Sequence, residues 1–442
     1  MSARREGVTI TRFEPSGPLR GSLHPPPDKS ISHRAALIAA MAEGPTLVGG
    51  YLDSADTRST LAAISALGAR IDGVTAAAVG PTISIDGIGL RGARPAEIDV
   101  GNAGTLLRLL PGWLAGQPVG AWTVDGDDSI RRRPVDRIVD PLRRMGASLS
   151  CREERLPPLR VEGAALRGIE YELPVASAQV KSCLLFAGLL AEGETRIVEP
   201  APSRDHSERM LAAAGAEVGR EGEVVTIRPA GALEPGEISV PGDFSAAAFF
   251  IVAATIVPGS DLEITGVGLN PTRTGLLEIL TRMGARVEVE DADRDGEPSG
   301  TVRVGAAALR GTEVGGAEIP LAIDELPLVA LAACFAEGET AIRDAGELRR
   351  KESDRIATVC EALAALGADV EPRADGLIVR GNGGLRGGAV SSHGDHRIAM
   401  MGAVAGLASR DGVEVEGIDA AAVSYPGFED DVTALAGRAR TG

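Results

Sequence analysis

The sequence predicts an α/β chain of two similar domains, each built from three copies of a unit with two helices and several short strands. Two recurrences and one break carry that prediction. A helix-ending Leu/Met-Gly-Ala or near equivalent, followed by an alternating strand, recurs at Leu67-Gly68-Ala69, Met145-Gly146-Ala147, Ala214-Gly215-Ala216, Met283-Gly284-Ala285 and Leu366-Gly367-Ala368. Glycine there stops a helix. An apolar helix that closes on glycine before a Thr/Val-rich strand recurs at Gly44, Gly116, Gly193, Gly259, Gly338 and Gly412, at spacings of 72, 77, 66, 79 and 74. Six such units fill the chain; they are too few and too long for a solenoid, so two domains of three units are expected. The break is Val240-Pro241-Gly242-Asp243, a Pro-Gly interruption ahead of the apolar helix Phe244 to Val257.

The opening strand, Val8 to Leu23, runs into a second break at Pro25 and is assigned to the C-terminal half. Residues 1–23 plus 242–442 are therefore expected to form a discontinuous C-terminal-type lobe, and 24–241 an N-terminal-type lobe. Hinge crossings are expected near 22–25 and 240–243. Asp291 to Gly300, with Asp, Arg, Gly and Pro in close order, reads as an exposed hairpin loop within the fourth unit.

With 442 residues, 44% of them apolar, the chain has enough material for two proper cores. Its net charge of −17 and its 3% aromatic content argue against nucleic acid or acidic lipid as partners. Cys151, Cys183, Cys334 and Cys360 lie far apart with no C-x-x-C and read as reduced core residues. The charged stretch Met1 to Ile10 lacks the apolar segment of a secretory leader, and no apolar run reaches about 18 residues. A cytoplasmic monomer acting on small molecules is expected. Of 45 basic residues only Lys29, Lys181 and Lys351 are lysine, so 42 are arginine. A lysine in such a background marks a place where a compact, titratable ammonium suits better than a guanidinium fork.

Cations gather at helix starts. Three prolines precede Asp28-Lys29-Ser30-Ile31-Ser32-His33-Arg34, where an apolar helix through Met41 opens on Lys29, Ser30 and Arg34. The first turn of a helix offers unpaired N–H groups and a positive dipole end, which suits an anion, although Asp28 can merely cap a turn with solvated cations. Gly101-Asn102-Ala103-Gly104-Thr105 joins a strand to the helix Leu106 to Leu114, with Arg108 on its first turn. Its N–H groups can converge on phosphate or carboxylate; an ordinary tight turn is the alternative. The literal G-x-G-x-x-G at Gly87 to Gly92 is not a dinucleotide site, since Pro95 follows and no helix opens.

Arg131-Arg132-Arg133 before Pro134 looks like an anion clamp, or a solvated charge run, at the entrance to the helix Val135 to Met145. Ser177-Ala178-Gln179 opens the helix through Leu190, and Ser203-Arg204-Asp205-His206 opens the next; both can be caps or hydrogen-bonding sites for hydroxyls. Asp324 is placed at a strand end before an apolar helix, and Lys351 and Arg355 at i,i+4 on another. A carboxylate beside a lysine can move protons at neutral pH, whereas a surface ion network is the plain alternative. Asp395-His396-Arg397 opens the helix Ile398 to Ala408, and His393 with His396 is too sparse a set for a metal.

Jointly, D-K-S-I-S-H-R, G-N-A-G-T-L-L-R, R-R-P, S-A-Q-V-K-S, S-R-D-H, I-D-E-L-P, R-K-E-S-D-R and G-D-H-R-I-A-M resemble the 5-enolpyruvylshikimate-3-phosphate synthases, the 3-phosphoshikimate 1-carboxyvinyltransferases. The resemblance implies two domains of three βαβαββ units each, an inside-out α/β barrel arrangement with the active site in the interdomain cleft. It implies shikimate 3-phosphate held by Lys29, Ser30, Arg34, Ser177, Ala178, Gln179, Ser203, Asp324 and Lys351. Phosphoenolpyruvate would lie among Lys29, Gly104, Thr105, Arg133, Gln179, Arg355 and Arg397. Asp324, Lys351, Glu352 and Lys29 would act catalytically, without cofactor or metal. Glu347 stands where the family carries Asn, Ala178 where it carries a second Ser, and Leu109 where Pro often follows the loop arginine. Val423-Ser424-Tyr425-Pro426 stands for Lys-Thr-Phe-Pro. These departures imply an altered response to glyphosate. The related UDP-N-acetylglucosamine enolpyruvyl transferases differ, wanting Lys-Asn at the first helix and a reactive loop cysteine. A non-catalytic anion-binding protein would have no use for Asp324, Lys351 and Glu352.

Overall fold

The computed structural model describes residues 2–5, 8–75, 80–293 and 296–437. They divide into two compact units, one taking the described residues up to Pro26 with 242–293 and 298–437, the other Pro27–Pro241 with 296–297. Each unit has its own hydrophobic cluster.

The local rule is the same six times. A short strand enters a buried helix, a second strand and an amphipathic helix follow, and two antiparallel strands close a four-stranded sheet. In the copy from 97 to 162, Glu97–Asp99 runs parallel to Ala121–Asp125, which pairs antiparallel with Leu156–Glu162, itself antiparallel to Ser148–Arg152. Leu156–Glu162 alternates buried and exposed residues, as a sheet covering a core on one face must. The buried helices behave differently. Every residue of Phe244–Ile256 and of Leu326–Cys334 is buried, because these helices are apolar all round and sit inside their unit. In one unit Lys29–Met41, Gly104–Ala115 and Ala178–Gly188 pack together; in the other Phe244–Ile256, Leu326–Cys334 and His396–Ala408 do so.

Three sheets are completed from far along the chain. Glu237–Ser239 pairs with Glu43–Gly49 and closes the first sheet of its unit. In the other unit the hairpin Ser2–Arg5 with Val8–Phe13 pairs onto Val413–Glu416 and supplies the last two strands of the sixth copy. The single opening strand expected from Val8 to Leu23 is therefore two strands in two sheets, because Pro15 and Pro18 interrupt it and Arg20–Leu23 pairs instead with Asp261–Gly268.

The glycines expected to stop helices do so: Gly68, Gly146, Gly215, Gly284 and Gly367 all have φ between 88 and 114°. The second set does not close helices as expected: Gly44 and Gly338 lie inside the strands that follow, Glu43–Gly49 and Glu337–Ile342, and at Gly116, φ −89°, Gln117-Pro118 lengthens the turn so that Gly120 takes the positive φ of 124°. The loop expected over Asp291 to Gly300 shrinks, since Arg286–Asp293 and Ser299–Gly305 extend as strands; residues 294 and 295 lie outside the described set. Cys183, Cys334 and Cys360 are buried in helices, Cys151 is half-buried in Ser148–Arg152, and all four are free thiols. No helix among the described residues is long and apolar enough to cross a membrane.

Candidate active site

In the unit formed by Pro27–Pro241, Asp28 caps the helix Lys29–Met41 by accepting from the Ile31 N–H at 2.8 Å. Lys29, at the first helical position, places Nζ 3.3 Å from Asp56 Oδ2. Its side chain keeps 19% of its surface accessible, so the ammonium is oriented and still reachable. Arg34 is only 2% exposed and donates to Ser207 Oγ at 2.8 Å, Ser182 Oγ at 3.0 Å and its own helix at Ser30 O, 2.9 Å. Burial lowers its pKa to about 10. It thus braces the helix start that carries Ser30.

The glycine loop and the arginine run meet. Arg133 Nη2 donates to Asn102 Oδ1 at 3.1 Å and Ser129 Oγ at 3.3 Å, while Asn102 is held by Asp127 at 2.8 Å. A Cβ on Gly104 would stand 2.8 Å from Arg133 Nη1 and 3.1 Å from Arg108 Nη1, so glycine is what admits these two guanidiniums to the helix start. The expected triple-arginine clamp is reduced to one member: Arg131 turns outward to Asp125 at 2.8 Å and Arg132 is exposed, because Ile130–Arg132 forms one 3-10 turn with Ile130 buried. Behind the loop, Gly112 lets Gly104–Ala115 touch the backbone of Ala178–Gly188, where a Cβ would lie 2.1 Å from the Cys183 carbonyl. That close approach brings Gln179 Nε2 to 3.4 Å from Thr105 Oγ1.

Ser177 caps Ala178–Gly188, accepting from Val180 N–H at 3.5 Å, with Ala178 at its first position. Ser203 is buried, and its hydroxyl is donated to Glu199.

In the other unit one carboxylate gathers three cations. Asp324 Oδ1 lies 3.3 Å from Lys351 Nζ and 3.2 Å from Arg355 Nη1, and its Oδ2 lies 3.7 Å from Arg397 Nη2. Asp324 is not at a strand end as expected. Its strand stops after Glu313–Val314 at Gly315-Gly316, and Asp324 occupies the joint between the short helix Glu318–Ala322 and Leu326–Cys334. Nor do Lys351 and Arg355 share a helical turn: Lys351 is extended after the 3-10 turn Gly346–Arg350, which contains Glu347, and Arg355 begins the helix Arg355–Ala365. They meet on Asp324 instead.

Arg355, 1% exposed in its side chain, also donates to Glu352 Oε2 at 2.5 Å and to Asp395 at 2.9 and 3.2 Å. Burial works against its charge, but Asp395, Glu352 and Asp324 outweigh it and raise its pKa above that of a free guanidinium. Burial likewise opposes the Asp395 carboxylate, and Arg355 nonetheless holds its pKa below the ordinary range. Asp395 caps His396–Ala408 through the Arg397 N–H at 2.9 Å, which presents Arg397 on the first turn. Among the described residues, no group of three or more His, Cys, Asp and Glu side chains is arranged to hold a metal ion.

Sequence reasoning missed two participants. Asp56 fixes Lys29 from another helix, and Glu325, fully buried beside Asp324, accepts from Ser245 and lies 3.6 Å from Arg397 Nη1. Only Glu325 had a local signal, its place next to Asp324.

A family profile described as EPSP synthase (3-phosphoshikimate 1-carboxyvinyltransferase) matches residues 13–432. The 3-phosphoshikimate 1-carboxyvinyltransferase of Synechococcus sp. (strain JA-3-3Ab) is 51% identical over 434 residues, 97% of either chain. That of Gloeobacter violaceus is 50% identical over 418 residues, 94% of this chain and 96% of the relative. Among solved structures, EPSP synthase from Acinetobacter baumannii matches with a TM-score of 0.86 at 40% identity, covering 97% of this chain and 98% of that one. The enolpyruvyl transferase NikO from Streptomyces tendae, at 19% identity and a TM-score of 0.76 over 97% of each chain, shares the fold.

Proposed function

The chain belongs to the EPSP synthase family, and we infer that its reaction moves the carboxyvinyl group of phosphoenolpyruvate to the 5-hydroxyl of shikimate 3-phosphate, releasing phosphate. The observation that carries the assignment of roles is the convergence of Lys351, Arg355 and Arg397 on Asp324, from three separate segments. Three cations from separate segments gathered on one largely buried carboxylate are suited to anionic substrates that draw the cations away and release the carboxylate to act.

Asp324 takes the proton of the 5-hydroxyl as that oxygen bonds to C2 of phosphoenolpyruvate. Lys351 or Glu352 delivers a proton to C3, so the double bond becomes a methyl group and a tetrahedral phospho-ketal forms. The same methyl then returns a proton while the C2–O bond to phosphate breaks, restoring the double bond. Lys29 protonates or screens the departing phosphate. Arg133, Arg355, Arg397 and the N–H groups at Gly104 and Thr105 hold the carboxylate and phosphate of phosphoenolpyruvate, with Gln179 alongside. Ser30, Arg34, Ser177, Ala178, Gln179 and Ser203 form the shikimate 3-phosphate side together with Lys29, Asp324 and Lys351. The reading requires both clusters to serve one pair of substrates, with the crossings near 22–25 and 240–243 as hinges between lobes. It also takes the enzyme to be a cytoplasmic monomer without cofactor, acting on neither nucleic acid nor membrane.

Phosphate release measured with both substrates, beside Lys29→Ala and Asp324→Ala, tests this. Release should need both substrates and fall at least a hundredfold in each variant; release unchanged by either substitution removes the assignment.

A further inference from the structure

Of the three lysines in this arginine-rich chain, Lys29 and Lys351 have places in the reaction and Lys181 has none. Lys181 is fully buried on Ala178–Gly188. Its Nζ lies 2.9 Å from Glu199 Oε2 and 2.6 Å from Glu208 Oε1, and donates to the Ser203 carbonyl at 3.3 Å. Glu199, also fully buried, follows the strand Thr195–Val198; it takes the Ser203 hydroxyl on one oxygen and Arg220 at 3.1 Å on the other. Glu208 stands on the first turn of His206–Ala213. Two cations thus face two carboxylates, and Ser203 is held at both its hydroxyl and its carbonyl.

A second tie runs alongside. The next residue after Lys181 and the one before Glu208 are Ser182 and Ser207; their hydroxyls bond at 2.7 Å, and Arg34 donates to both. Three segments that the proposed function assigns to shikimate 3-phosphate are therefore cross-braced behind their ligand-facing ends: the Lys29–Arg34 turn, the Ser177–Gln179 turn and Ser203. An ammonium can meet three oxygens from three directions at short range; a planar guanidinium fork cannot fill the same sealed space. A buried ion pair adds little net stability over an apolar pair of similar volume, so its yield here is placement.

We propose that Lys181 is a positioning residue for shikimate 3-phosphate, acting through Glu199, Glu208 and Ser203 without touching the substrate. The inference rests on the function proposed above.

The test is the double variant Lys181→Met/Glu208→Leu, which removes one cation and one anion together, with Lys181→Arg as the charge-conserving companion. KM for each substrate, kcat and thermal unfolding are measured on the full chain. Positioning predicts that KM for shikimate 3-phosphate rises about tenfold or more in both, KM for phosphoenolpyruvate changes less than about twofold, and the double variant remains folded. A lowered melting temperature with an unchanged KM for shikimate 3-phosphate, or equal rises in both KM values, overturns the proposal. Should the double variant not fold, Glu208→Gln gives the same discrimination at about threefold. If the unsubstituted enzyme shows no release dependent on shikimate 3-phosphate, it is the function that fails and not the positioning role.

Discussion

Gly104→Ala separates the site from the scaffold. Gly104 is the first residue of Gly104–Ala115 and its φ is not positive, so alanine fits the backbone and favours the helix by up to about 1 kcal/mol. The added Cβ, however, would lie 2.8 Å from Arg133 Nη1 and 3.1 Å from Arg108 Nη1. Ordinary contact begins near 3.4 Å, so the Arg133 guanidinium must retreat by about 0.6 Å. Its tip is flexible, and the cost to folding is small. Its cost to binding is larger, because a charge-assisted hydrogen bond is worth about 1.5–3 kcal/mol and half of that is about fourfold to tenfold in affinity. Steady-state kinetics should show KM for phosphoenolpyruvate raised about fourfold to tenfold, KM for shikimate 3-phosphate within about twofold, and a melting temperature unchanged or slightly higher. An unchanged KM for phosphoenolpyruvate would show that Arg133 does not bind it; a large fall in melting temperature would show that the clash is taken up by the backbone.

Other substitutions probe other parts of the argument. Lys351→Arg keeps a cation near Asp324 but replaces the ammonium proposed as proton donor with a guanidinium, so kcat should fall about a hundredfold or more with little change in melting temperature; near-normal kcat would assign proton delivery to Glu352. His33 is fully buried against Thr60, and burial drives its pKa from 6.5 to about 3. The unfolded chain therefore takes up this proton first, and stability present above about pH 6.5 is lost toward pH 3 at about 1.4 kcal/mol per unit. Urea unfolding at pH 7 and pH 5.5 should differ by about 1.2 kcal/mol less in His33→Gln than in the unsubstituted enzyme, and an identical difference would place that acid sensitivity elsewhere. Val423 ends the 3-10 turn Ile418–Val423, and the motif resemblance sets it against a lysine. Val423→Lys should tighten inhibition by glyphosate and lower KM for phosphoenolpyruvate, each about threefold or more, and no change in either would remove Val423 from that side of the site.

The repeat was readable in the chain because Gly68, Gly146, Gly215, Gly284 and Gly367 each follow an amphipathic helix in a left-handed backbone that is a local requirement. What closed the sheets was not. Nothing local to Val8–Phe13 says that its partner is Val413–Glu416, about four hundred residues on, and Glu237–Ser239 beside Glu43–Gly49 is about two hundred away. The site divides along the same line. Lys29, Gly104, Ser177, Arg355 and Arg397 were visible because each sits at or beside a helix start, where the sequence changes character from polar to apolar. Helical periodicity then misled at Lys351: a shared face with Arg355 was expected, but the segment before Arg355 is extended, and the two side chains meet only because both reach Asp324.

Lys181 shows how far composition carries an argument and where coordinates must take over. Its scarcity identified a position at which arginine had not been used, without saying what surrounded it. The surroundings come from a strand end at Glu199, a helix turn at Glu208 and a loop at Ser203, with Arg220 reaching Glu199 from outside. The same holds for the other two lysines, since Lys29 meets Asp56 and Lys351 meets Asp324. Each lysine in this chain faces a carboxylate delivered by a different element, but only Lys181 is sealed from solvent. Accessible ammoniums can exchange partners with an incoming anion, whereas a sealed one can only hold its partners in place. That difference in exposure, rather than any difference in pairing, divides the two lysines assigned to chemistry from the one assigned to geometry.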